Sequence, residues 1–435
     1  MEKNYLSNFA KYISANMIGT LGLSLYIFAD TYFMAYYAGH LGLTALNIAI
    51  PLYGILLGLG YLFGTGGGIN FSYLAAKKDY KKANEYFSVS ISYAVLSGII
   101  LSIIGILFSK NISWALGANE ESLAMTNTYI KTLLAFSTFF IPSTAIMTFL
   151  RYDDNPNLAM IALLFSSLFN IVFDYIFMEC FKLSVFGAAL ATGLSPIVSI
   201  LISLAHFFKK DKILKFEKVS FKVKKLLEVI KLGTSSFIYE MSQGLVTLSF
   251  NYLILGISGN IGIAAYGIIT NIGGIVMSIF NGLQQGMQPL ISSAHGRKDT
   301  FGERKYFKYG IIFAAILSLT VYFGSILNID SLISIFNSQN LKILYDLAKP
   351  GIILYFLGFL PHGINISLIA YKNAINNPRL SFILSIARGT IFSLLFAFVL
   401  SHHFAMTGIW LSFPLAEIAT LVLYKLIEKI LDKKL

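Results

Sequence analysis

The sequence predicts an all-α integral membrane protein with twelve transmembrane helices in two parallel six-helix lobes around a central cleft. Three observations predict this. The composition is too apolar for a soluble surface, the connections between apolar runs alternate in basic charge, and the second half repeats the first.

Of 435 residues, 56% are hydrophobic and 12% charged. Soluble domains run at about 45–50% apolar and about 25% charged. Half the usual charge cannot wet a globular surface of this size, so the solvent is a bilayer. The net charge of +12 raises nucleic acid as a partner, and the placement of the charges excludes it. Lys and Arg cluster between apolar runs, as in "KKDYKK" (77–82) and "KKDKILKFEKVSFKVKK" (209–225). No basic face is interleaved with base-stacking aromatics. The single cysteine, Cys180, leaves no intrachain disulfide and no cysteine-pair metal site. The opening "MEKNYLSNFAKY" lacks a cleavable signal pattern, so the first apolar segment is expected to be retained.

A spanning helix needs about 20 mostly apolar residues. Twelve such runs are centred near residues 24, 56, 95, 138, 167, 196, 243, 277, 316, 356, 391 and 415. The even-numbered connections and the two termini carry 27 of the 33 Lys and Arg; the odd-numbered connections carry 5. Only Arg388 falls within a span. The positive-inside rule then puts both termini and the basic linker of this multi-pass chain in the cytoplasm. The expected division is an N-terminal lobe over 1–208, a basic linker over 209–228 and a C-terminal lobe over 229–435.

Sliding the chain by 220 residues aligns 32–87 with 252–307 without a gap, with 13 of 56 positions identical. The matches include Gly39/Gly259, Gly66/Gly286, Lys78-Asp79/Lys298-Asp299 and Tyr86-Phe87/Tyr306-Phe307. "NPNL" (155–158) is echoed by "NPRL" (377–380). The second copy begins after six spans, so both copies share one orientation, which is an arrangement used by transporters.

Carboxylates at bilayer depth cost about 2.5–3.5 kcal/mol each on insertion scales, so each needs a partner, a cavity or a function. "SLYIFADTYFMAYYAG" (24–39) holds Asp30 with no basic neighbour; Tyr26 lies one turn earlier on the same face. Asn170 and Asp174, in "NIVFD", are likewise one turn apart, and Thr192 adds a hydroxyl in span 6. If spans 1, 5 and 6 meet, Asp30, Asn170 and Asp174 form an oxygen site for Na⁺, or the two acids share a proton. The bland alternative is that these groups only satisfy each other. Glu240, in "SSFIYEMSQG", is the matching acid of the second half, a candidate for proton coupling or, with Tyr26, for substrate charge recognition. Arg388 and Glu417 are expected to pair across spans 11 and 12, with Glu240–Arg388 as the rival contact. His206, His402 and His403 are read as solvated, and His362 stays unassigned. "FGTGGG" (63–68) lacks the lysine of a phosphate loop and is read as a site of close helix approach. The adjacent acids in "RYDDNPN" (151–157) are read as capping span 5. No catalytic triad, metal motif or cysteine cluster points to an enzyme.

The stretches 24–39, "RYDDNPNLAMIALLFSSLFNIVFDYIFM" (151–178), "GAALATGLS" (187–195), "QQGMQPLISSAHGRKD" (284–299) and "GIWLSFPLAE" (408–417) resemble the multidrug and toxic compound extrusion (MATE) family, nearest its MepA/DinF-type branch. The resemblance implies an antiporter exporting small organic cations of amphiphilic character, without a cofactor, driven by Na⁺ or H⁺ and acting as a monomer. It implies coupling roles for Asp30, Asn170, Asp174 and Thr192, and matches Glu240, Arg388 and Glu417 to branch positions. The chain departs from the family at Ala15, Tyr175 and Gly358, where relatives carry proline, proline and a carboxylate; the departures favour coupling in the first lobe. The alternative within the same superfamily is a lipid-linked oligosaccharide flippase, whose cationic cavity Arg388 alone would have to supply.

Overall fold

The computed structural model describes residues 4–209, 212–218, 223–337 and 341–432. Nearly all of these are helical, and no strand occurs among them. Spans 1, 2 and 3 run Tyr5–Gly39, Thr44–Ala76 and Tyr80–Ala115. Span 4 has two limbs, Leu123–Ala135 and Ser137–Tyr152, meeting at 53°. Spans 5 and 6 are Pro156–Cys180 and Ser184–Phe208. Span 7 (223–259) and span 8 (Ile261–Gly296) are two helices joined at Gly259. Span 9 is Thr300–Leu327, and a short helix, Ile329–Phe336, follows it. Span 10 bends by 40° between Lys342–Phe356 and Phe359–Ala374. The last helical stretch, Pro378–Ile430, breaks at Ala405 (φ 48°) into spans 11 and 12. Each of the twelve expected centres falls within its own span.

The internal repeat is a repeat of backbone conformation. Gly39 (φ 65°, ψ −161°) and Gly259 (φ 60°, ψ −154°) make the same sharp turn between consecutive spans, in a region open essentially to glycine alone. Lys78 and Lys298 both take positive φ, 65° and 57°. Asp79 and Asp299 then start the next helices by accepting hydrogen bonds from the backbone N–H of Lys82 and Gly302, at 3.3 and 2.9 Å. Pro156 and Pro378 open their helices in the first turn, where a missing N–H costs nothing.

Two large apolar cores and one small one, around Ile369, Leu380 and Leu384, result. One large core gathers Leu56, Phe71, Phe87 and Phe149; the other gathers Phe250, Phe280, Phe356 and Trp410. The two halves meet at the end that carries the chain termini. There the glycines have no room for a side chain. A Cβ on Gly66 would lie 2.0 Å from the Val229 carbonyl oxygen, and one on Gly233 2.0 Å from that of Leu62. Gly286 and Gly296 are similarly pressed against the backbone of Tyr12 and Tyr73. Polar contacts join the halves from that end up to mid-span: Tyr5 to Asp299 (3.1 Å), Ser292 to the Ile69 carbonyl (3.0 Å), Gln285 to the Tyr61 hydroxyl (3.1 Å) and Ser24 to Ser278. At the opposite end Gly256, Gly259, Gly267 and Gly274 have nothing within 4 Å, and Tyr32, Tyr36 and Tyr252 are exposed. The central cleft is closed at the terminal end and open at the other.

The "FGTGGG" segment allows close helix approach, as expected. Gly64, Gly67 and Gly68 face Thr148, Ser90 and Tyr152, each closer than a Cβ would tolerate. Three expectations fail at the turn after span 4. Neither Asp153 nor Asp154 caps span 5; Asn155 stands at that N-terminus without a capping bond. Asp153 instead accepts from the backbone of Ile213 and Leu214 (both 3.1 Å) and from His206 Nε2 (2.6 Å). Hence His206 is buried, not solvated, while His402 and His403 are exposed. Arg151, counted with the solvated basic residues, is only 4% exposed and points into the lobe. An unpaired connection segment has backbone groups to satisfy, and the linker finds them on this turn and on Asn84, which bonds both the Ile213 carbonyl and the Lys215 N–H.

Candidate functional site

Span 5 ends in a wide turn, Ile176–Cys180, with π-type bonding. Asn170 and Asp174 sit in the two turns before it, facing span 6 and span 1. Asp30, Asn170, Asp174 and Thr192 are all at most 4% exposed. With its amide oriented to satisfy both neighbours, Asn170 donates to Asp174 Oδ2 at 3.2 Å and accepts from the Thr192 hydroxyl and N–H, both at 3.2 Å. Tyr129 of span 4, which the sequence reading missed, donates to Asp30 Oδ2 at 3.5 Å. No pattern in span 4 marks that tyrosine; only the bend of the span delivers it here.

The remaining oxygens decide what the cluster can do. Asp30 Oδ1 and Asp174 Oδ1 are buried and have no hydrogen-bond partner. A buried unpaired carboxylate oxygen is costly, and no basic residue is paired with either acid among the described residues. The two carboxylates are near enough to act on each other electrostatically. The bland reading, that they saturate one another, therefore does not hold for these two atoms. Both fit a hard cation or a proton, since either would satisfy them.

Asp30 opens into a cavity of about 660 Å³, shared with Tyr26, Asn47, Tyr53, Tyr129 and Thr192. A second cavity of about 590 Å³ continues from Tyr26, Tyr53 and Thr192 past Asn170 to Arg151. Tyr26 thus lies at the junction, on the same wall as Asp30.

In the second half, Glu240 lines a polar chamber of about 310 Å³ at the seam between the halves, with Tyr61, Tyr239, Asn281, Gln284 and Gln285. It makes no contact with Arg388. Arg388 lies in a second wide turn, Ala387–Ile391, and donates from Nε to Glu417 Oε1 at 2.6 Å. The rival Glu240–Arg388 contact is not made. Two residues complete the network. Asn365 donates to Glu417 Oε2 at 2.7 Å, and His362 Nδ1 lies 2.8 Å from both Glu417 Oε1 and an Arg388 Nη. His362 and Asn365 are three residues apart on one face of a helix, a spacing legible in the sequence once Glu417 is known to face it. The Arg388–Glu417 cluster is thus saturated on its carboxylate, whereas the Asp30–Asp174 cluster leaves two buried carboxylate oxygens unpaired.

Two six-helix halves of one orientation around a cleft, with polar groups inside the spans, define a membrane transporter. The chain belongs to the MatE family, whose model matches residues 16–176 and 235–399. Among its relatives, the Multidrug export protein MepA of Staphylococcus saprophyticus is 30% identical over 431 residues, covering 95% of this chain and 92% of that protein. MepA of Staphylococcus aureus (strain NCTC 8325) is 29% identical over 428 residues, with the same coverage of 95% and 92%. The fold resembles a solved outward-facing MATE family transporter of the MOP superfamily, with TM-score 0.90 and 20% identity over 97% of this chain and 95% of that one. It equally resembles the Vibrio cholerae MATE transporter VcmN, with TM-score 0.90 and 16% identity over 99% and 97%.

Proposed function

We propose that the protein is a secondary active antiporter exporting cationic amphiphilic compounds from a bacterial cell in exchange for Na⁺ or H⁺, by alternating access. The observation that carries this reading is the pair of unpartnered buried oxygens, Asp30 Oδ1 and Asp174 Oδ1, beside a cavity with aromatic walls. Relatives named as multidrug export proteins support the same direction.

Asp30 and Asp174 would hold the coupling ion, with Asn170 and Thr192 fixing Asp174 in place. The ion supplies positive charge that lets two adjacent acids share one site. When the acids are compensated, the cavity walls lose their pull on an organic cation; when they are not, the same carboxylates attract it. Tyr26, Tyr53 and Tyr129 offer ring faces to such a cation. Glu240 acts as the charge-recognition group of the second half, and Arg388–Glu417 as a fixed ion pair around which that half moves or stays rigid. The moving units are the lobes 1–208 and 229–435, joined by the linker 209–228, in a monomer with both termini cytoplasmic. The cleft, closed at the terminal end, then faces outward.

Proteoliposomes loaded with ethidium and given a Na⁺ gradient or a pH gradient separately test the coupling. Efflux is expected under one of them. Asp30→Asn is expected to abolish it while the protein still inserts and folds. Undiminished export by Asp30→Asn would remove this reading.

A further inference from the structure

Arg151 is a buried cation without a counter-charge. It sits in the last turn of span 4, is 4% exposed, and lines the inner end of the 590 Å³ cavity. Its one hydrogen bond is a long one, from Nη1 to the Thr148 hydroxyl at 3.5 Å, and its Nε has no partner. The acids nearest in sequence are already engaged. Asp153 is held by His206 and the linker backbone, and Asp154 by Tyr12 (2.7 Å) and Lys11 (3.8 Å). Among the described residues no carboxylate forms an ion pair with Arg151.

An uncompensated guanidinium in a low-dielectric site is expensive, and a guanidinium is not relieved by losing its proton. Something must bring negative charge to it. The lining of the cavity it enters supplies hydrogen-bond donors and no acid. Ser167 Oγ is buried without a partner. Tyr61 accepts from Gln285, which leaves its own phenolic proton free, and it is close enough to act electrostatically on Arg151. Most other hydroxyls around the cavity, such as Ser195, Ser166 and Ser199, donate to their own helix backbone.

We infer that Arg151, with Tyr61 and Ser167, forms a site for a small monovalent anion in the first half, separate from the acidic cluster at the other end of the same cavity system. The shared chemistry is one negative charge in a small volume: free chloride, or a carboxylate presented by a solute. This site is independent of which cation drives the antiport, and its test uses no transport assay.

Purified protein in detergent is unfolded thermally at fixed Na⁺ and fixed ionic strength, with the bulky sulfonate isethionate replaced stepwise by chloride in one series and by acetate in another. The wild-type unfolding temperature is expected to rise and saturate with chloride. A matching rise with acetate assigns the site to carboxylates as well; a flat acetate series assigns it to chloride alone. Arg151→Gln should abolish the rise. Should Arg151→Gln fail to fold, Tyr61→Phe keeps the charge and removes one donor, and is expected to weaken the apparent anion affinity about tenfold. An unfolding temperature identical in isethionate, chloride and acetate overturns the proposal. So does a chloride response that survives Arg151→Gln, or, where that variant does not fold, one unchanged by Tyr61→Phe.

Discussion

At the scale of single residues, the molecule treats its intramembrane charges in two different ways. Glu417 accepts from Arg388 and Asn365 and lies against His362, so the cluster in the second half is saturated on its carboxylate side. Removing one member of a buried ion pair leaves the other uncompensated and costs about 3–5 kcal/mol. Glu417→Ala should therefore lower the unfolding temperature sharply, whereas Glu417→Ala combined with Arg388→Met should recover much of the loss. Equal melting of the single and double variants would show that the loss does not come from leaving Arg388 uncompensated. Asp30 behaves oppositely. Its Oδ1 is already unsatisfied, so Asp30→Asn is expected to be neutral or mildly stabilising in the same melt. A strong destabilisation would mean the carboxylate is scaffold.

At the scale of elements, glycine placement sets how the halves fit. Gly233 packs on the Leu62 carbonyl and Gly66 on that of Val229, backbone against backbone. Gly233→Val puts a branched side chain where 2.0 Å is available, so the closed end must part. Spin labels placed at the terminal ends of spans 2 and 8 should report a longer mean distance in Gly233→Val than in the parent. An unchanged distance distribution would mean the seam yields elsewhere. The linker is a second element-scale device. Asp153 holds two of its backbone N–H groups, and Asn84 brackets it between Ile213 and Lys215. Asp153→Ala should release the segment and speed its cleavage by trypsin, for which it offers many lysines. Cleavage at the parental rate would contradict this docking.

At the scale of the whole molecule, the open end of the cleft lies opposite the termini, and the charge asymmetry supports the proposal that the termini lie inside. The single cysteine gives a direct check. Cys180 is exposed in the turn between spans 5 and 6, at the open end. A membrane-impermeant maleimide added to intact cells should label it without any engineered substitution. Labelling only after the membrane is permeabilised would invert the orientation, and with it the outward-facing assignment of the cleft.

The sequence by itself determined the number and order of the spans and their duplication. Those follow from local rules: a run must be long and apolar to cross lipid, and Gly39/Gly259 or Asp79/Asp299 carry their backbone roles with them. It also marked Asp30 and Asp174 as candidates, because a carboxylate is conspicuous against an apolar background, and Asn170 and Thr192 as polar groups placed to join them. Tertiary structure decided which groups meet. Tyr129 reaches Asp30 through the 53° bend of span 4, His362 joins Arg388 and Glu417 across three helices, and His206 is drawn inward by a linker that needs its amides satisfied. Arg151 counted as one more basic loop residue until the packing of span 4 turned it inward. The physical reason is the same in each case. Hydropathy records what a residue costs in lipid, while the contact that offsets that cost comes from a helix far away in the chain.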